Sequence, residues 1–182
     1  VEITAKLAPD RLRGLKETGS AVMLDAAPDG NEGFGAFCFQ YFPDTEDALR
    51  VHSNIREPQD NGRLAPGLHV EKSPDADRRF LRCIVETVTR FLDSQELTLA
   101  DIAVVLPPQA PSPFIDELAT ALEIDPGKCV DVSRPDGDLY TSSLPYAFDA
   151  VRGAEGRVAP GDLGLVINVA SGIEVGCAIY HF

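Results

Sequence analysis

The sequence has no apolar run near the ~20 residues that a membrane-crossing helix needs. Its first residues lack a basic run followed by an apolar core, so no signal peptide is expected. Positive charge is scarce: 16 lysines and arginines stand against 29 acidic residues, a formal net charge of −13. A surface of that sign repels phosphate backbones, which argues against nucleic-acid binding; its plain reading is solubility. There is no Cys-x-x-Cys pair. Cys38, Cys83, Cys129 and Cys177 each sit inside an apolar run and read as buried free thiols of a cytoplasmic protein. The three histidines, His52, His69 and His181, are scattered, so neither a metal centre nor a cofactor is expected. The chain opens on Val1 instead of Met, and a piece of something longer is an open reading.

What is present suits one globular domain: 182 residues, 44% hydrophobic and 25% charged, enough to enclose a core. Val1 to Ala5 is a short strand candidate, followed by a basic polar stretch through Lys16. Gly19-Ser20-Ala21-Val22-Met23-Leu24 reads as a turn into a strand, and Asp29-Gly30 as a turn. Gly33 to Phe42 alternates small or polar with aromatic residues and reads as a second strand, a hairpin partner for the first. From Pro43 to Pro66 the sequence is polar and rich in proline and asparagine. It reads as a surface loop insertion over 43–66 with one helical turn at Thr45 to Arg50.

Beyond Pro74-Asp75 the pattern changes. Phe80, Leu81, Ile84, Val85, Val88, Phe91 and Leu92 recur at helical spacing, with Arg78, Arg79, Arg82 and Glu86 on the opposite side. Ile102 to Leu106 is a continuous apolar run of buried-strand type, ended by Pro107 and Pro108. Ser112-Pro113 opens a helix with Phe114, Ile115, Leu118, Ala121 and Leu122 inward, and Asp125-Pro126-Gly127 breaks it. Cys129 to Val132 reads as a short strand and Arg134 to Tyr140 as a polar loop. Ser142 or Ser143 starts a third helix carrying Leu144, Ala147, Phe148 and Val151, with Pro145 in its tolerant first turn. Strands Leu163 to Val169 and Val175 to Phe182 flank Ser171-Gly172. This order predicts an α/β fold, a mixed sheet with packed helices.

Several short patterns carry no chemistry. Asp136-Gly137-Asp138 starts like a calcium loop but lacks its closing Glu. Ser171-Gly172 has no Gly-x-Ser-x-Gly around it. Thr141-Ser142-Ser143 reads as a helix cap, and Gly153 to Gly156 as a helix end.

The motif order from about Ala76 to Phe182 resembles the C-terminal half of β-ketoacyl-acyl-carrier-protein synthase III, a thiolase-like condensing enzyme. That family's His-Gln-Ala-Asn motif stands here as Pro108-Gln109-Ala110-Pro111. Its Gly-Asn-Thr loop stands as Gly137-Asp138-Leu139. Its Pro-Gly-Asp turn is intact as Pro160-Gly161-Asp162, and its Gly-rich turn survives as Ala170-Ser171-Gly172 with Gly176 beyond. The stretch through Asp10-Arg11 and Gly19 to Val22 resembles the end of the family's first half.

The resemblance implies one half of a two-half thiolase-like fold, with 1–182 a single C-terminal domain and 1–20 the tail of a preceding half. It implies acyl thioesters of coenzyme A or acyl carrier protein as partners, pairing as a dimer, and a place in fatty acid or polyketide biosynthesis. Motif positions carried over are Pro108, Gln109, Ser171 and Gly172 for substrate binding and Asp138 for catalysis. In the family, His and Asn donate hydrogen bonds to the thioester carbonyl that becomes an enolate. Pro108 has no donor at all, and an ionised Asp138 accepts but does not donate. Losing one preorganised donor costs about 100- to 1000-fold in rate, so decarboxylative condensation by this route is not expected. Cys83 and Cys129 fall at core positions instead of a nucleophile's. Pro113 stands where the family often has a basic residue for docking carrier protein, and Arg78, Arg79 and Arg82 read as a solvated helix face. Two readings follow: an acyltransferase with an altered condensing site, or a non-catalytic, acyl-binding partner of an active homologue.

Overall fold

The computed structural model describes residues 19–23, 25–26, 32–45, 47–58, 64–109, 112–133, 142–170 and 172–182. Its strands are β1 (Gly33–Tyr41), β2 (Leu49–Pro58), β3 (Leu64–Lys72), β4 (Ile102–Leu106), β5 (Leu163–Ala170) and β6 (Glu174–His181). Its helices are α1 (Ala76–Ser94), α2 (Ser112–Ala121) and α3 (Ser143–Gly153), with 3₁₀ turns at Pro43–Thr45 and Pro126–Lys128. Four strands form one sheet in the order β1-β6-β5-β4, and β2 and β3 form a separate ribbon. β6 is antiparallel to both β1 and β5, whereas β4 and β5 run parallel.

Strand alternation sends successive side chains to opposite faces, and both faces are apolar. Ile102, Leu165, Ile167, Val175, Cys177 and Ile179 face one side, where Phe80, Ile84, Val88 and Phe91 of α1 and Ile115 and Leu118 of α2 cover them. Val104, Leu106, Val166 and Tyr180 face the other, against Ala147 and Val151 of α3. The result is the expected α/β layering, with helices on both faces of a mixed sheet. Ile84, Leu118, Leu165 and Ile167 are fully enclosed; truncating any of them to alanine costs about 2–5 kcal/mol.

Four sequence expectations change. The 43–66 stretch is not a loop throughout: after the 3₁₀ turn at Pro43–Thr45 it carries β2 and the start of β3, so no helical turn runs to Arg50. The ribbon is tied at its base, where the Ser73 N–H donates to the Ala48 carbonyl at 2.9 Å. Residues 19–23 take no strand conformation, and Val22 and Met23 are exposed. β1 therefore pairs with the distant β6, with Cys38 opposite Cys177, instead of forming a hairpin with that stretch. The Cys129 to Val132 stretch is reduced to one parallel bridge, Val105 to Cys129. The Val1 to Ala5 strand and the Arg134 to Tyr140 loop lie outside the described residues.

Candidate functional site

Strand directions bring several chain segments to one edge of the sheet. β4 and β5 are parallel, so their carboxyl ends share that edge. The bridge at Cys129 runs parallel to β4, so the chain leaving Val132 points there too. β1 and β5 are both antiparallel to β6 and so have a common direction, which puts the end of β1 at the same edge. Phe148 and Arg152 of α3 contact Tyr180, which pairs with Gly164 at the start of β5, so the C-terminal half of α3 lies away from this edge and its N-terminus toward it. Ligand crevices in open α/β sheets form outside carboxyl strand ends.

Pro107 and Pro108 stop β4; Pro107 is buried and Pro108 half-buried. Neither supplies an N–H. Gln109 follows, with its carboxamide committed internally. Its Nε2 donates to the Pro107 carbonyl at 3.0 Å and the Val130 carbonyl at 2.8 Å, and its Oε1 accepts from the Val132 N–H at 2.9 Å. One side chain thereby replaces the ladder that Cys129 to Val132 lacks.

At the other side of the edge, Gly172 closes the β5–β6 turn at φ +79° and buried Ile173 follows at φ +40°. A β-branched residue in the left-handed region is strained. It is held there: the Phe42 N–H donates to the Ile173 carbonyl at 3.0 Å. Buried Thr45 adds a second tie, its hydroxyl donating to the Phe42 carbonyl at 2.6 Å and reaching the Gly172 carbonyl at 3.5 Å.

Ser142 is the N-cap residue of α3, as its sequence position suggests, but makes no side-chain capping bond. Ser142 and Ser143 are both buried, and the Ser143 Oγ has no hydrogen-bond partner among the described residues. Asp138 and Ser171 lie outside the described residues. Pro108, Gln109 and Gly172 thus share the edge, but Gln109 is spent on the backbone. The Gln109 brace escaped the sequence reading because only the motif position marked it. Phe42 reads as the end of a strand and Thr45 as part of the 43–66 loop, and neither reading points to the distant Gly172–Ile173 turn.

The cysteines are free; Cys83, Cys129 and Cys177 are buried and Cys38 is half-buried. Burial pushes the Cys129 thiol up to about 11 and raises Cys83 and Cys177 as well. These three are neutral thiols at pH 7, the opposite of what a nucleophile needs. Of the helix-face arginines, Arg79 pairs with Asp47 at 2.7 Å and Asp75 at 2.9 Å, and Arg78 approaches Asp75 at 3.6 Å. A groove of about 510 Å³ runs between α2 and α3, past Asp116, Cys129, Asp131 and Arg157. Among the described residues, none of Pro108, Gln109 and Gly172 lines it. Among the described residues no cluster of potential metal ligands occurs, and no helix is long and apolar enough to cross a membrane.

The layered sheet and its shared strand-end edge define a thiolase-like half-fold. A crystal structure of 3-oxoacyl-acyl-carrier-protein synthase III from Aquifex aeolicus VF5 matches with a TM-score of 0.67 at 20% identity, covering 84% of this chain and 45% of that one. Residues 92–182 match the family described as 3-oxoacyl-acyl-carrier-protein (ACP) synthase III C terminal, and the chain belongs to that family. A β-ketoacyl-acyl-carrier-protein synthase III from Desulfitobacterium hafniense is 29% identical over 99 residues, 54% of this chain and 30% of the relative. One from Erythrobacter litoralis is 27% identical over 165 residues, 89% of this chain and 49% of the relative. The chain spans half or less of the length of these curated relatives.

Proposed function

We propose that this domain belongs to a protein that handles acyl thioesters of coenzyme A or acyl carrier protein, with the family's decarboxylative condensation lost. The observation that carries this reading is the end of β4. Pro108 stands half-buried at the His motif position, and the neighbouring Gln109 amide is bonded to Pro107, Val130 and Val132. Neither side chain is free to donate to a thioester carbonyl there. Asp138, at the Asn position, lacks a donor when ionised. Plain acyl transfer, with the nucleophile supplied by another segment or subunit, remains chemically open to such a site.

A specific observation supports a partner segment. Phe37, Phe39 and Tyr41 project from one side of β1 and are 70%, 71% and 53% exposed. A row of exposed aromatics is the mark of a surface built to be covered. We propose that a preceding half, or a homologous subunit, covers it, and that the assembled protein is a dimer. If that partner brings no nucleophile, the domain is an acyl-binding, non-catalytic support for an active homologue.

Mass spectrometry of the full-length protein after incubation with acyl-coenzyme A separates the readings. A covalent acyl adduct supports acyl transfer. Tight acyl-coenzyme A binding without an adduct supports the non-catalytic reading. Neither adduct nor binding, alone or with candidate partners, contradicts both.

A further inference from the structure

Cys38 of β1 lies directly opposite Cys177 of β6 in the antiparallel register. Opposed residues of such a pair project from the same face. Both thiols are free, Cys38 half-buried and Cys177 buried. Neither Cys83 nor Cys129 has an opposed cysteine: Cys83 is on α1, and Cys129 bridges to Val105.

The ladder fixes the kind of pairing. The Phe42 N–H donates straight across to the Ile173 carbonyl, and residue pairs alternate between bonded and non-bonded along an antiparallel ladder. Counting back through Gln40–Val175, which keeps register, makes Cys38–Cys177 a hydrogen-bonded pair. Cα atoms of such a pair stand about 5.5 Å apart, inside the span of roughly 4.4–6.8 Å that a disulfide bridges. The Cβ atoms of a bonded pair are farther apart than a relaxed disulfide prefers. A bridge formed there is therefore strained and easily reduced.

We propose that Cys38 and Cys177 form a reversible cross-strand disulfide when the protein meets a hydroperoxide, locking the edge strand β1 to β6. Cys38, the more accessible thiol, gives up its proton and attacks a peroxide oxygen. The O–O bond breaks, leaving a sulfenic acid on Cys38 and, with hydrogen peroxide, one water. The Cys177 sulfur then attacks the Cys38 sulfur. The S–S bond forms, the S–O bond breaks, and hydroxide leaves with the Cys177 proton as a second water. The two sulfurs supply the two electrons that reduce the peroxide. Burial keeps Cys177 a neutral thiol, so it does not react with the peroxide first; it gives its proton to the departing hydroxide as it attacks the sulfenic acid held beside it. The bridge pins the strand that carries Phe37, Phe39 and Tyr41, the row proposed to meet a partner.

The test is peptide mapping of the full-length protein after hydrogen peroxide treatment, with remaining thiols alkylated under denaturing conditions. The expected result is loss of two of the four free thiols of this chain, recovery of one cross-linked peptide pair joining Cys38 to Cys177, and reversal by dithiothreitol. Amide exchange of β1 slows in the oxidised form. Cys38→Ala abolishes the cross-link, while Cys83→Ala leaves it. Sulfinic acid on Cys38 without a cross-link, a bridge between other cysteines, or four intact thiols after treatment overturns the proposal. The mapping uses the unmutated protein, so its outcome does not depend on either variant folding.

Discussion

The Gln109 Oε1 accepts a hydrogen bond from the Val132 N–H at 2.9 Å, fastening the chain that leaves β4 to the chain that leads toward α3. With the donations from its Nε2 to Pro107 and Val130, Gln109 holds together the two segments that frame the candidate site. Gln109→Ala leaves these backbone groups unpaired and is expected to destabilise the domain by about 2 kcal/mol. Gln109→Glu keeps the acceptor but loses both donors and costs a similar amount. Urea denaturation checks this; an unchanged midpoint for both variants contradicts the brace.

Ser143 gives a prediction of opposite sign. Its hydroxyl is buried at the start of α3 with no partner among the described residues, so Ser143→Ala removes an unsatisfied group. The variant is expected to be as stable as the parent or more stable by about 1 kcal/mol. Thermal or urea unfolding measures it. A clear destabilisation indicates that the hydroxyl is bonded in the assembled protein.

Cys129 predicts a pH window. Burial raises its folded thiol from 9.0 to about 11. A raised folded value means that the unfolded chain ionises first as pH increases. The contribution of this thiol is fully present below about pH 9 and is lost as pH rises toward 11. Stability of the parent is therefore expected to fall more steeply over that window than stability of Cys129→Val. Identical slopes contradict the burial account. Native-state alkylation of Cys129 should likewise stay slow until the pH nears that range.

The base of the β2–β3 ribbon predicts a local effect. A hydrogen bond from the Ser73 hydroxyl, then one from Arg79, holds the Asp75 carboxyl below its ordinary value. Its contribution is present above the unfolded value of 3.8 and is lost as pH falls through the depressed folded value. Arg79→Met removes the ties to Asp75 and Asp47. It is expected to speed amide exchange at Ser73, which bonds Ala48, with little change in global unfolding because the pair is solvent-screened. Unchanged exchange at Ser73 contradicts the anchoring role.

The sequence made some of this plain and hid the rest for identifiable reasons. The Ile102 to Leu106 run reads as a buried strand because it is short and continuously apolar, and Pro107-Pro108 mark where it stops. The α1 face was legible because Phe80, Ile84, Val88 and Phe91 repeat at helical spacing along its length. β2 and β3 were hidden because their prolines and Asn61-Gly62 read as punctuation. The partner of β1 was hidden because nothing local to Gly33–Tyr41 points to Glu174–His181. Gly176, whose missing side chain leaves room for the Phe39 ring 2.9 Å from where a Cβ would stand, is the trace of that pairing. For the site, motif order marked Pro108, Gln109 and Gly172, but not the strand-end edge that brings them together. The Gln109 brace and the Thr45 tie to Gly172 were not legible, because each joins segments distant in sequence.

The most direct measurement of the central claim is malonyl-thioester decarboxylation by the full-length protein, compared with its Pro108→His, Asp138→Asn double variant. With no donor at Pro108, the parent is expected to show no turnover above the uncatalysed background. Restoring two donors should raise it by about 100-fold or more if the remaining scaffold is intact. Decarboxylation by the parent at a rate that the double variant does not increase contradicts the claim that condensing chemistry has been lost at this site.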